Sequence, residues 1–133
     1  MTDPGTTSAS STLADEPVCY LTTVGRVSGQ PRTIEIWFAM EGATLYLLSG
    51  GGDRAHWVRN LRRDPAVRVR IREAVWHGRA RVLGAGPEAE RARTAVYAKY
   101  QPGYRSDLRR WRDASLPVAV DTGTPLDQEA SGG

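Results

Sequence analysis

Residues 18–38 read VCYLTTVGRVSGQPRTIEIWF, and they contain two strand-like runs joined by a polar turn. The runs cover 18–23 and 33–38, where β-branched and aromatic residues predominate. The turn between them reads Gly25-Arg26-Val27-Ser28-Gly29-Gln30-Pro31-Arg32. Glycine and proline end regular structure and reverse the chain. The segment therefore predicts a β-hairpin.

The polar turn is also a candidate anion site. Arg26 and Arg32 each offer a permanently charged, forked donor, and Ser28 adds a hydroxyl. Glycines let backbone N–H groups approach a phosphate closely. A solvated hairpin explains the same residues, so both interpretations stay open on the turn alone.

The rest of the chain continues the pattern of strands and turns. A strict alternation of apolar residues with arginines over 66–72 is typical of a half-buried strand. Asp53 is expected to cap the first helix. We predict strands near 17–23, 32–40, 44–49, 66–72, 75–83 and 116–120, and helices near 54–63, 88–100 and 104–113. This order predicts a mainly β, α+β fold: an antiparallel barrel of about six strands with two or three appended helices.

Composition bounds the domain organisation and the class of protein. We expect a disordered Ser/Thr-rich leader over 1–15, one domain over 16–122 and a disordered polar tail over 123–133. The single cysteine excludes an intrachain disulfide, and the two distant histidines do not suggest a metal site. No apolar run approaches the ~20 residues of a membrane span, and no signal peptide is recognisable. We expect a cytoplasmic protein.

The charge of the chain is concentrated in the expected domain. Residues 17–123 hold all 18 bases and 10 of the 15 acids, a net charge of +8. A body this basic attracts an anionic cofactor or a polyanion. The arginines at 68, 70, 72, 79 and 81 could form a basic wall for nucleic acid, but no aromatic residues are interleaved with them. A solvated barrel exterior explains them, so we expect no nucleic-acid partner.

Four segments together resemble the deazaflavin-dependent nitroreductase family, which has a split β-barrel fold. No single segment is specific, but the set spans nearly the whole body of the chain. The segments are Leu21–Arg32, Leu45–Gly52, Trp57–Leu61 followed by Asp64–Val67, and Lys99-Tyr100 with Trp111 and Leu116–Val118.

The resemblance implies an anionic cofactor, coenzyme F420, a deazaflavin with a phosphodiester and an oligoglutamate tail; FMN is the alternative. It implies that Arg26, Ser28 and Arg32 meet the phosphate and tail. The sequence departs from many relatives at Val27 and Gly50, where they carry a basic residue, and at Glu35, where they carry proline. Arg54 or Arg59 could replace the missing charges. The predicted cofactor-binding residues are Arg26, Ser28, Arg32, Trp37, Ser49, Gly50, Gly51, Arg54 and Asn60.

The chemistry implied is hydride transfer from the reduced deazaflavin to a small-molecule acceptor such as a quinone, a nitro-aromatic or an enone. Tyr100 and Tyr104 are the candidates for substrate contact or proton donation, although aromatic packing explains them equally well. Trp37 could line a substrate pocket or belong to the core. The alternative function is a non-catalytic barrel that binds or carries coenzyme F420, FMN or haem. Split barrels commonly pair along a sheet, so a homodimer is expected.

Overall fold

The computed structural model of the protein describes residues 13–123, in which seven strands form one antiparallel sheet. Three α-helices lie entirely within these residues, and single turns of 3-10 helix cover Gly52–Arg54 and Gln101–Gly103. The strands are β1 (Cys19–Val24), β2 (Pro31–Ile36), β3 (Ala39–Glu41), β4 (Thr44–Ser49), β5 (Ala66–Ile71), β6 (Ala74–Val82) and β7 (Leu116–Asp121). The helices are α1 (His56–Arg63), α2 (Pro87–Tyr100) and α3 (Arg109–Ala114).

The order of the strands forces the sheet to curl into a half-barrel. The order is β2-β1-β5-β6-β7-β4-β3, so β2 and β3 form opposite edges although they are consecutive in the chain. Only Trp37 and Phe38 separate them, and three Cα steps span at most ~11 Å. A flat sheet would place its outer strands ~29 Å apart at a spacing of ~4.8 Å. The mainly β split-barrel prediction is confirmed.

The single strand predicted over 32–40 is in fact two strands. Ile36 pairs with Cys19 at one edge of the sheet, whereas Ala39 pairs with Tyr46 at the other. Phe38, between them, is fully buried. A local pattern of apolar residues cannot reveal this change of partner, which is why six strands were predicted and seven are present.

Two apolar clusters cover the two faces of the sheet. The inner cluster fills the half-barrel and includes Leu21, Leu47, Val69 and Val118, with Leu61 of α1 packed into it. The outer cluster lies under α2, where Tyr46 and Leu48 of β4 meet alanines of the helix. β4 is therefore buried on both faces. The outer face of β5 stays open, because Arg68 and Arg70 alternate with buried Val67 and Val69 as predicted.

Two helix boundaries differ from the prediction. Asp53 does not cap α1: the helix begins at His56 with Ala55 at the N-cap and no side-chain cap. Asp53 instead forms an ion pair with Arg62, with 2.7 Å between its Oδ1 and Nη2. The helix predicted over 104–113 begins only at Arg109, because a 3-10 turn and an irregular loop follow α2.

The predicted leader over 1–15 and tail over 123–133 lie outside the described residues, apart from 13–15 and 123. Residues 13–15 are helical, and Leu13 packs against the inner cluster. No helix within 13–123 is both long enough and apolar enough to cross a bilayer.

Candidate functional site

The turn between β1 and β2 is closed by its own backbone. Gly25 N–H donates to the Gln30 carbonyl, and Gly29 N–H donates to the Gly25 carbonyl, both at 2.8 Å. Gly29 has a φ of +76°, a conformation that favours glycine. A Cβ on Gly25 would lie 2.9 Å from the Ser28 Oγ. The glycines therefore allow a tight turn that gives the adjacent arginines a fixed backbone.

Arg26 lies against α1. Its Nη1 donates to Asn60 Oδ1 at 2.8 Å, and its backbone N–H donates to the same oxygen at 3.1 Å. Its Nη2 lies 3.2 Å from His56 Nδ1. Arg26 thus fixes the turn to the helix, and only part of its guanidinium remains for an anion.

Asn60, a predicted cofactor ligand, lies beneath Arg26 and is only 4% exposed. Its Nδ2 donates to the Thr23 Oγ1 at 3.1 Å, while its Oδ1 accepts the two hydrogen bonds from Arg26. Both ends of the amide are therefore used inside the protein. This geometry supports an action of Asn60 on a ligand through Arg26.

Arg32 and Ser28 share one side of the turn. The Arg32 Nη2 donates to the Ser28 Oγ at the long distance of 3.4 Å. Arg32 is exposed and forms no ion pair with any residue of the described range 13–123. Its guanidinium can therefore take both oxygens of a carboxylate or phosphate.

These side chains line a groove of about 430 Å³ between the turn and α1. Both arginines face this one groove. Ile34 of β2 and Trp57 of α1 add an apolar wall, and Trp57 also packs against the inner cluster. The lining residues are Thr23, Gly25, Arg26, Val27, Ser28, Arg32, Ile34, His56, Trp57 and Asn60. Sequence reasoning missed His56, because a lone histidine at a helix start carries no spacing signal.

Arg54 and Arg59 were the cations expected to replace the charges missing at Val27 and Gly50. Neither of them is among the residues that line the groove. Arg59 Nε donates to the Asp53 carbonyl at 3.2 Å, away from the turn. Arg63 instead lines a second hollow beside Arg26, Val27 and Ser28. Val27 itself is 92% exposed at the tip of the turn.

A cluster of aromatic side chains, the aromatic box, lies where β2 gives way to β3. Trp37 stacks on Tyr100 with ring centroids 4.2 Å apart and planes 7° from parallel. Tyr104 and Trp111 meet the Trp37 ring edge-on at 5.5 and 5.6 Å. A hollow of about 440 Å³ opens against it, lined by Trp37, Tyr104, Ser106, Leu108 and Trp111. Such walls favour a flat apolar ligand.

The hydroxyl of Tyr100 is hydrogen-bonded to the backbone. It donates to the Pro17 carbonyl at 2.7 Å and accepts from the Phe38 N–H at 3.1 Å. Burial raises the pKa of Tyr100 to about 12. The phenol thus donates its proton to one backbone carbonyl and accepts from one backbone N–H, whereas Tyr104 is 46% exposed beside the hollow.

Lys99 anchors the same break between β2 and β3. Its Nζ donates to the Phe38 carbonyl at 3.0 Å and to the Glu16 carbonyl at 2.8 Å, and it lies 3.6 Å from the centroid of the Phe38 ring. Burial penalises the ammonium and lowers the pKa of Lys99 to about 8. Lys99 and Tyr100 together fix the backbone on which Trp37 stands.

The glycine-rich loop connects the aromatic box to α1. Ser49 is buried, and its Oγ donates to the Gly52 carbonyl at 3.0 Å. A Cβ on Gly50 would lie 3.1 Å from the Trp111 Nε1, so the backbone there closely approaches the indole. Gly51 lies against Ala55, and Arg54 is exposed. The loop supports the box, and its hydroxyl is committed within the protein.

The groove and the aromatic box each include a residue of the short segment 34–37, which covers the end of β2 and the first residue after it. Ile34 lines the groove, and Trp37, three residues later, lines the box. Three extended residues span ~10 Å. The groove and the aromatic box therefore lie at the two ends of one short segment of backbone.

Comparison of the sequence with protein families matches residues 4–123 to the F420H(2)-dependent quinone reductase family. The chain belongs to this family. Membership confirms the resemblance in the four sequence segments, and it assigns an oxidoreductase that depends on coenzyme F420.

Solved structures agree with this fold. An F420-H2 dependent reductase, FDR-A, is 25% identical, with a TM-score of 0.63 over 80% of this chain and 94% of its own. An F420 reductase is 19% identical, with a TM-score of 0.62 over 85% and 92% of the two chains. A FAD-binding protein from Mesorhizobium loti is 18% identical, with a TM-score of 0.67 over 90% and 89%.

The groove of this F420H(2)-dependent quinone reductase family member suits the chemistry of coenzyme F420. Phosphate and carboxylate oxygens can accept hydrogen bonds from Arg32, from the Ser28 hydroxyl and from the part of the Arg26 guanidinium that Asn60 does not bind. Trp57 and Ile34 offer apolar surface to a planar ring. The residues present therefore fit the group.

Proposed function

We propose that the protein reduces a small planar electrophile, a quinone, nitro-aromatic or enone, that binds in the aromatic box. The observation that carries this proposal is that a basic groove and an apolar aromatic hollow lie at the two ends of the short segment 34–37. When bound, reduced coenzyme F420 supplies a hydride, that is, two electrons and one proton. The acceptor then takes one further proton at its oxygen.

The residues of the chain divide into binding and orienting roles. Arg32 and Ser28 bind the anionic part of the cofactor, and Arg26, held by Asn60, forms the rest of the anion site. Trp37 and Trp111, whose rings meet edge-on, form apolar walls of the acceptor site and exclude water from it. The glycines at 50 and 51 keep the backbone close to the box, and Arg54 lies outside the groove residues.

Tyr104 is the proton donor in this proposal. It lines the hollow, and its ring is partly exposed, so its hydroxyl can reach an acceptor oxygen. Tyr100 contributes its ring, because its hydroxyl is engaged with the backbone at Pro17 and Phe38. The homodimer expected from the split-barrel fold stays a prediction.

The test is a titration of the purified protein with reduced coenzyme F420, followed by fluorescence, and then turnover with a panel of quinones, nitro-aromatics and enones. Saturable binding below millimolar concentration with reduction of at least one acceptor class is the expected result. Saturable binding without any acceptor reduction would instead favour the carrier function. The absence of saturable binding would overturn both.

A further inference from the structure

Gln101 holds the loop that forms one wall of the aromatic box. It directly follows the last residue of α2 and begins the 3-10 turn Gln101–Gly103. Its side-chain Nε2 donates to the Ser106 carbonyl at 2.9 Å, and its Oε1 accepts from the Leu108 N–H at 2.6 Å. One amide thus binds two backbone groups of the loop at the same time.

The loop held by this amide carries most of the hollow. Three of the five lining residues, Tyr104, Ser106 and Leu108, belong to it. Leu108 is only 6% exposed, and the Tyr104 N–H donates to the Gln101 carbonyl at 3.0 Å. The backbone and the side chain of Gln101 therefore fix both ends of the segment 104–108.

The opposite wall of the hollow is rigid for a different reason. Trp37 is stacked on Tyr100, and the Tyr100 hydroxyl is bound to Pro17 and Phe38. The width of the box is therefore set by how closely the loop 104–108 approaches Trp37. Gln101 is the side chain whose amide spans that loop.

We propose that Gln101 is a positioning residue that sets the width of the aromatic box and thereby selects acceptors by size. This inference rests on the proposed function, which places the acceptor in the box. The amide does not line the hollow; it acts through Tyr104, Ser106 and Leu108. Small displacements of walls that orient a reactant have large effects on its binding and reaction.

Two substitutions of Gln101 separate the contribution of its Nε2 donor from that of its Oε1 acceptor. Gln101→Glu keeps an oxygen that accepts from the Leu108 N–H but loses the donor to the Ser106 carbonyl. Gln101→Met keeps the length of the side chain and loses both hydrogen bonds. Glu73→Met is the control, because Glu73 is exposed between β5 and β6 and lines neither the groove nor the hollow.

The measurement uses the cofactor-free protein and two probes of different width, tetramethylbenzoquinone and 2-methylnaphthoquinone. Quenching of tryptophan fluorescence reports binding, because Trp37 and Trp111 line the hollow. We expect Gln101→Met to change the ratio of the two dissociation constants by about fivefold, with a smaller change for Gln101→Glu. The affinity of the Gln101 variants for coenzyme F420 should stay at the wild-type value, and so should the quinone affinities of Glu73→Met.

The outcomes distinguish the role of Gln101 from the placement of the acceptor in the aromatic box. If wild-type protein binds both quinones and Gln101→Met leaves their ratio unchanged, the role of Gln101 is overturned while the acceptor site stands. An equal weakening of both probes with a lowered melting temperature indicates a purely structural residue and also overturns it. If wild-type protein binds neither quinone, the placement of the acceptor itself fails.

Discussion

Arg26 and Asn60 are joined by two hydrogen bonds, called the clamp below: the Asn60 Oδ1 accepts from the Nη1–H of Arg26 at 2.8 Å and from its backbone N–H at 3.1 Å. The two residues are 34 positions apart in the chain. The clamp ties the β1–β2 turn to α1 and orients the guanidinium. It makes the two arginines of the turn unequal, because Arg26 is held by Asn60 whereas Arg32 forms no ion pair within residues 13–123.

The clamp predicts different results for two substitutions of Asn60. Asn60→Leu removes three hydrogen bonds and leaves buried polar groups unpaired, so the free energy of unfolding should fall by about 2–3 kcal/mol in urea denaturation. Asn60→Asp can still accept from Arg26, and the Thr23 hydroxyl can donate to it. It should remain folded but bind coenzyme F420 about tenfold more weakly, since its carboxylate competes for the guanidinium. Equal affinity in Asn60→Asp and wild type would contradict this role.

The exposed guanidinium of Arg32 should make cofactor binding depend on salt concentration. Arg32→Gln should weaken the binding of coenzyme F420 by about tenfold and flatten its dependence on ionic strength, because one charge-assisted contact is lost. Isothermal titration at two salt concentrations measures both effects. Arg62→Gln is the control: it removes an exposed ion pair with Asp53, which should change stability by less than ~1 kcal/mol and leave affinity unchanged. Loss of affinity in the control alone would refute the assignment.

The two tyrosines of the aromatic box should respond differently to loss of the hydroxyl. Tyr104→Phe should lower kcat for quinone reduction by about 100-fold with little change in melting temperature, because it removes the proposed proton donor. Tyr100→Phe should lower the free energy of unfolding by about 1–2 kcal/mol, because the Phe38 N–H loses its acceptor. Steady-state kinetics and thermal unfolding of both variants check the distinction. An unchanged kcat in Tyr104→Phe would remove the proton-donor role.

Buried Cys19 predicts a loss of stability in alkali. Burial raises the pKa of Cys19 from 9.0 to about 12, so the folded chain keeps a proton that the unfolded chain releases above pH 9. Stability from this group is complete below pH 9 and falls as pH rises towards 12, by up to ~1.4 kcal/mol per pH unit. The lowered pKa of Lys99, about 8 against 10.5, acts in the opposite direction between those values.

The contribution of Cys19 is isolated by comparison with Cys19→Ala. The difference in free energy of unfolding between wild type and Cys19→Ala should shrink between pH 9 and 12, measured by urea denaturation in reducing buffer. A difference that stays constant across this range would show that the thiol ionises in the folded protein as it does in the unfolded chain. Lys99 is present in both proteins, so its own burial cancels from the comparison, and what remains is the Cys19 thiol together with its charge interaction with Lys99.

Local sequence patterns predicted the elements that depend on neighbours in the chain. The glycines and proline of 25–31 marked the hairpin, and the alternation in β5 marked a strand with one buried face. They failed at Trp37 and Phe38, where an unbroken apolar run crosses from one edge of the sheet to the other. They also failed at the start of α1, because Asp53 lies within the 3-10 turn Gly52–Arg54, two residues before the N-cap at Ala55.

The sequence by itself determined the hairpin, the mainly β class, the basic charge of the body and, through its linked segments, the family. These follow from periodicity, turn chemistry and residue order, which are properties of near neighbours. Only the tertiary structure decided that Asn60 holds Arg26, that Phe38 and Pro17 occupy the Tyr100 hydroxyl, and that Trp37 faces Tyr104. These partners are separated by 34 to 83 residues or meet only because the sheet curls. A hydrogen bond depends on distances of a few tenths of an ångström, which curling and strand order set and which residue identity alone does not.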